Sequence, residues 1–144
     1  MKSLKNDIVG TWKLVSWTYQ NEAGEEVEYF GKNSTGILMY DAHGYMNAQL
    51  MKPRRNKFVS DSISGGKPEE TNEAFHSYLA YYGKYHEEQP GEIVHLVEGS
   101  LFPNWVGNRQ VRYASIEGDR LIVSTPPIPA QGRDIVFRIT WQRI

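Results

Sequence analysis

Residues 36–51, Gly36-Ile37-Leu38-Met39-Tyr40-Asp41-Ala42-His43-Gly44-Tyr45-Met46-Asn47-Ala48-Gln49-Leu50-Met51, decide the fold. Two strand-like runs flank Asp41-Ala42-His43-Gly44, a tight hairpin turn, so the chain doubles back on itself as an antiparallel pair. The returning run divides into two faces, since strand side chains alternate. Tyr45, Asn47, Gln49 and Met51 share one side; Met46, Ala48 and Leu50 share the other. Either the apolar trio faces a core and the amides face solvent, or the amides line a polar interior.

The same pattern extends outward in both directions. Lys13 to Tyr19 reads as a long strand, Val27 to Phe30 as a short one, and Tyr81 to Tyr85 and Ile93 to Gly99 as a further hairpin. Gln110 to Ile116 and Leu121 to Thr125 flank a turn at Glu117-Gly118-Asp119-Arg120. Gly132 to Ile144 closes the chain, with Ile135, Phe137, Ile139 and Trp141 on its inner face. Pro126-Pro127-Ile128-Pro129 reads as a loop, because proline donates no ladder hydrogen bond. One helix is expected. Pro68 stands at its first position, Glu69 and Glu70 favour its positive end, and Thr71, Ala74, Phe75, Tyr78 and Leu79 make an apolar stripe. Eight to ten short strands, hairpin turns and no βαβ alternation predict a mainly all-β fold. It is an antiparallel up-and-down barrel closed on itself, with one short helix covering an end. Such a barrel has room for one small ligand.

Composition narrows the function. The 144 residues make a single domain spanning 1–144. With no cysteine, disulfide and thiol chemistry are out, and a reducing, cytoplasmic setting is expected. The four histidines, at 43, 76, 86 and 95, have no metal-ligand spacing, so no metal is expected. A net charge of −1 without a basic stripe speaks against a nucleic-acid surface. No membrane insertion and no secretory signal are expected, as the required apolar runs are missing. The basic run Lys52 to Lys57 reads as a solvated loop rather than a phosphate site. Nine Tyr, four Trp and five Phe fit pleated, half-buried surfaces.

The candidate site centres on His95 to Arg112, HLVEGSLFPNWVGNRQVR, where a strand breaks at Phe102-Pro103-Asn104-Trp105 and resumes at Arg109. His95 is the one weak catalytic candidate, with an ordinary pKa near neutrality; otherwise it is a hydrogen-bonded barrel histidine. Strand parity places Glu98 on the opposite face from His95. Asn104 and Trp105 either form a cavity rim or a structural corner. Arg112, if inward, must be paired or bind an anion. Tyr40, Tyr81, Tyr85 and Tyr113 combine apolar bodies with hydroxyls, which suits an amphipathic pocket. Gln49 joins them as a candidate ligand contact. No nucleophile motif or phosphate loop is present, and no cofactor is called for.

Gly10-Thr11-Trp12 resembles the Gly-x-Trp signature of lipocalins and related calycin barrels, in which an arginine of the last strand packs across the tryptophan. The resemblance makes Gly10, Trp12 and Arg143 a structural barrel closure, and a guanidinium over an indole is a favourable contact in its own right. The whole chain is similar to the bacterial and fungal lipocalin-like domain family, through Gly10 to Ser16, Gly36 to Tyr40 with Gly44 to Met46, Tyr78 to Tyr85, and Ser100 to Gly107. That resemblance implies a cytoplasmic calycin-type barrel and little about activity. Three functions are open: binding of a small hydrophobic or amphipathic molecule; a cofactor-free isomerase or cyclase using the same cavity; and a filled barrel acting through its outer surface as a homodimer or partner module.

Overall fold

The computed structural model describes residues 2–144. After a short segment that buries Leu4 and Ile8, the chain enters β1 (Gly10–Gln20). This strand breaks its own alternation: its register shifts between Leu14 and Ser16, so the exposed Val15 is an extra residue. A bulge of this kind moves the inward face from even to odd positions. Trp12 and Trp17, of opposite parity, both become buried. Unbroken period-two alternation would expose one of them.

β2 (Glu26–Glu28) adds a short ribbon to β1, and β3 (Thr35–Tyr40) and β4 (Tyr45–Met51) form the expected hairpin. Asp41 fixes its turn, its Oδ1 accepting the N–H groups of His43 and Tyr45, each at 2.9 Å. Those bonds favour the carboxylate and lower the Asp41 pKa, the Tyr45 N–H contributing most. Met46, Ala48 and Leu50 are buried, which settles the two faces of β4: apolar inward, amides outward.

The helix α1 (Pro68–His76) starts at the predicted proline but ends earlier than the apolar stripe suggests. Tyr78 and Leu79 open β5 (Tyr78–Gln89), a strand of 12 residues that pairs along all of β4. Sheet pairing outweighs the helical period there. Nor is the basic run simply solvated: Arg55 donates to Ser77 Oγ at 2.8 Å and Ala74 O at 3.0 Å, strapping the 52–67 excursion to the helix end.

β6 (Glu92–Ser100), a 3₁₀ turn at Pro103–Trp105, β7 (Arg109–Glu117) and β8 (Arg120–Ser124) follow as a meander. β9 (Ile128–Ala130) and β10 (Arg133–Ile135) form a small separate ribbon. Pro129 therefore lies in a strand, contrary to the loop expected of it. An antiparallel ladder uses the N–H of alternate residues only, so a two-stranded edge accommodates one proline. The last strand, β11 (Phe137–Arg143), is separated from β10 at Val136.

β11 pairs with both β8 and β1, and the eight strands β1, β3 to β8 and β11 close into an antiparallel barrel. At one end Trp12 stands opposite Arg143 in the ladder, and the guanidinium lies 4.1 Å from the indole centroid. The Trp12 Nε1 donates to Ile8 O at 3.0 Å, while Arg143 donates to Val9 O at 3.1 Å and to Asp7 O. Gly10 has a φ of 137°, and a Cβ there would stand 2.9 Å from Arg143 Nη1. Glycine is the residue that admits both. This end is plugged; the other, where β4, β6 and β8 finish, carries α1, the 3₁₀ turn and the β9–β10 ribbon.

Candidate functional site

The barrel encloses a cavity of about 550 Å³ that opens between α1, the 3₁₀ turn and the β9–β10 ribbon. Most of its wall is apolar: Leu38, Ala48, Leu50, Val123 and Ile139 from the strands, with Trp17, Tyr29, Phe30, Phe137 and Trp141 as an aromatic side. Trp17 is packed by Tyr29 at 4.7 Å, Phe30 at 4.8 Å and Phe137 at 5.6 Å between centroids. Its Nε1 is buried without an acceptor. At the mouth Trp105 meets Tyr81 edge-on at 5.4 Å, with Phe102, Phe75, His76 and Asn104 around it.

The polar groups gather deeper in. His95 is 2% exposed, and both ring nitrogens are engaged: Tyr40 Oη lies 2.7 Å from Nε2 and Tyr81 Oη 2.8 Å from Nδ1. These three side chains come from β3, β5 and β6 and meet inside the barrel, although in the ladder His95 faces Tyr85 and Tyr81 faces Ser100. Burial holds the His95 pKa well below the ordinary imidazole value, and the neighbouring positive Arg112 lowers it further. The ring is neutral at pH 7. Burial likewise keeps Tyr40 protonated, its pKa raised well above the phenolic range, with Tyr81 adding to the effect and Arg112 opposing it.

Arg112, from β7, is 5% exposed and lines the same cavity. His95 pairs with Gln110, which sets Arg112 diagonally beside it on the inner face. Its Nη1 donates to Val111 O at 2.9 Å. Among the described residues the ion pairs are Lys2–Asp7, His86–Glu88 and Arg109–Glu88, and none involves Arg112.

The structure thus brings together Tyr40, Tyr81, His95, Asn104, Trp105 and Arg112 around one cavity, and places the other three candidates elsewhere. Gln49 is on the outer face of β4, where it accepts the Tyr78 hydroxyl proton. Tyr113 is 49% exposed on the outer face of β7, one residue out of phase with Arg112. Tyr85 packs edge-on against Tyr40 at 4.7 Å but sends its hydroxyl to Asp41 O at 2.6 Å, away from the cavity. Glu98 is exposed, on the side opposite His95. The corner at 103–108 satisfies Val106 N with Pro103 O at 3.2 Å and Asn108 N with Trp105 O at 2.9 Å, while Gly107 N reaches back to Val97 O on β6 at 2.9 Å.

Sequence reasoning missed Trp17, Asn108 and the Tyr29–Phe30 pair as lining. The one signal for Trp17 was its odd parity relative to Trp12, which a single bulge reconciles. Among the described residues no helix is long and apolar enough to cross a membrane.

With this geometry in place, the relatives are informative. A protein of Aspergillus oryzae (strain ATCC 42149 / RIB 40), named as a 4'-hydroxy-3'-methoxypropiophenone carrier protein, is 33% identical over 107 residues, which span 69% of this chain and 96% of the relative. The lipocalin-like domain family model matches residues 9–144. The chain, a closed eight-stranded barrel with its Gly-x-Trp end capped by Arg143, belongs to the lipocalin-like domain family.

Proposed function

We propose that the protein binds and carries one small, amphipathic aromatic molecule inside the barrel, without transforming it. The observation that carries this reading is the cavity of about 550 Å³, within the roughly 300–1,000 Å³ of small-molecule sites, apolar in its walls and polar at its deep end. The carrier relative supports it: a hydroxyaryl ketone of the kind in that protein's name has an apolar ring for the aromatic wall and oxygens for Tyr40, Tyr81 and Arg112. Non-covalent carriage is further supported by His95, whose two nitrogens are occupied by phenols and which offers no free basic nitrogen to a substrate.

Titration with 4'-hydroxy-3'-methoxypropiophenone, followed by tryptophan fluorescence and then mass spectrometry of the recovered compound, tests the reading. Saturable one-to-one binding with the compound returned unchanged is expected. Conversion of the compound, lost in His95→Gln, would overturn the carrier reading in favour of catalysis.

A further inference from the structure

The deep end of the cavity holds a positive charge that no described residue neutralises. Arg112 is 5% exposed, its guanidinium donates to Val111 O at 2.9 Å, and among the described residues the paired carboxylates, Asp7 and Glu88, lie at the surface. The titratable groups sharing its end of the cavity are Tyr40 from β3, Tyr81 from β5 and His95 from β6, two phenols and an imidazole, and no carboxylate lines the cavity among the described residues. A buried unpaired cation is costly, and a guanidinium presents a planar fork of donors suited to two oxygens of one acid.

Proton counting adds a second donor. A neutral imidazole has one N–H and one bare nitrogen. Of the two phenols on His95, one must donate to the bare nitrogen while the other accepts the N–H. The accepting tyrosine keeps its own O–H proton, and neither Tyr40 nor Tyr81 has a further bond partner. Whichever tautomer holds, the pole next to Arg112 has one phenolic O–H to spare. Charge and donors face an apolar, aromatic chamber whose mouth is Trp105 and Phe102.

We propose that this pole is an anion site: the ligand enters head first and sets an ionised oxygen acid, a carboxylate or an acidified phenolate, on the Arg112 guanidinium, with its aryl body towards Trp105. The inference rests on the carrier reading above and deepens it by naming the head group. Because the acceptor is charged, the site discriminates by ionisation rather than by shape.

Isothermal titration of the full chain at pH 8.5 with two matched pairs tests it: cinnamate against methyl cinnamate, and 4'-hydroxypropiophenone against 4'-methoxypropiophenone. The first pair probes the carboxylate and the second the phenolate, whose acidity the para ketone raises. Wild type is expected to prefer the acid of at least one pair by about 10- to 100-fold, the range for a hydrogen bond to a charged group. Arg112→Gln should abolish that preference, lowering the affinity for the acid at least about tenfold more than that for its ester or ether. Arg112→Lys, which keeps the charge and loses the fork, should retain the preference at lower affinity, and it serves if the glutamine variant does not fold. Equal binding of acid and blocked analogue in both pairs overturns the anion site and leaves the carrier reading standing. So does a preference unchanged in both variants. Failure of all four compounds to bind overturns both.

Discussion

His95 sits between two phenols in the middle of the barrel, and its burial governs how the protein meets acid. Its folded pKa lies well below the ordinary value of 6.5 that it regains on unfolding. Below about pH 6.5 the unfolded chain therefore takes up a proton that the folded one refuses. Stability is full above that pH and falls as pH drops towards the folded pKa, by at most about 1.4 kcal/mol per unit. Denaturant melts at pH 7 and pH 5.5 should show this loss, and His95→Gln should flatten it. An undiminished slope in that variant would assign the effect elsewhere. At the plugged end, Trp12→Ala removes a fully buried indole together with its Arg143 contact and should cost about 3–5 kcal/mol. A loss below about 1 kcal/mol would mean that this contact does not hold the barrel shut. Residues of this kind were legible where a motif marked them: Gly10, Trp12 and Arg143 through the resemblance to the Gly-x-Trp signature. His95 stood out by its chemistry on a strand, and Arg112 by its charge, while alternation alone left open whether Arg112 faces inward. Gln49, Tyr85 and Tyr113 were drawn in by chemistry alone. A polar aromatic or amide suits a pocket on either side of a strand; the observed register puts Gln49 and Tyr113 outside, while Tyr85 packs inward against Tyr40 and turns only its hydroxyl away, to Asp41 O.

Strands were easier to read than the pieces between them. Hairpins such as β3–β4 declare themselves through a turn with glycine at its required position, Gly44 having a φ of 92°. Two elements ran against local rules because pairing overrode them. The apolar spacing through Tyr78 and Leu79 fits a helix, yet β4 offers those residues a complete ladder, Met51 facing Tyr78 and Leu50 facing Leu79. Pro129 enters a strand because its ribbon has two members and each residue need bond on one side only. The helix that remains, Pro68–His76, buries no residue and reaches the cavity through Phe75 and His76. Arg55 is one of its ties, bonding Ser77 and Ala74 and covering the Tyr78 ring at 5.2 Å, beside Asn56 to Glu73 and Val59 N to Glu70. Hydrogen exchange should accordingly find the amides of α1 much less protected than those of β5 and β6. Arg55→Ala should raise α1 exchange further while leaving the strands unchanged. Equal protection of helix and strands would make α1 a fixed plug rather than a cover that opens.

At the scale of the whole molecule, closure by β11 against β1 leaves the barrel without a free edge among its eight strands and gives it a hollow with one plugged end. Alternating strands, one helix and the absence of cysteine or a charge stripe made the barrel legible from residue order. Room for one small ligand followed from the strand count, but the lining did not, because it depends on which side chains the bulge at Val15 and the corner at Pro103 turn inward. Carriage of a small aromatic molecule in that hollow is the central claim, and filling the hollow tests it directly. Ala48 is buried on the cavity wall, and Ala48→Phe puts a ring into the space while leaving the Arg112 and His95 side chains themselves unaltered. The decisive measurement is the affinity of wild type and Ala48→Phe for 4'-hydroxy-3'-methoxypropiophenone, with near-UV circular dichroism to verify that the variant is folded. The account predicts saturable one-to-one binding by wild type and at least about a tenfold loss, near 1.4 kcal/mol, in the folded variant. Equal affinity in the two proteins would place the ligand outside the barrel and contradict it.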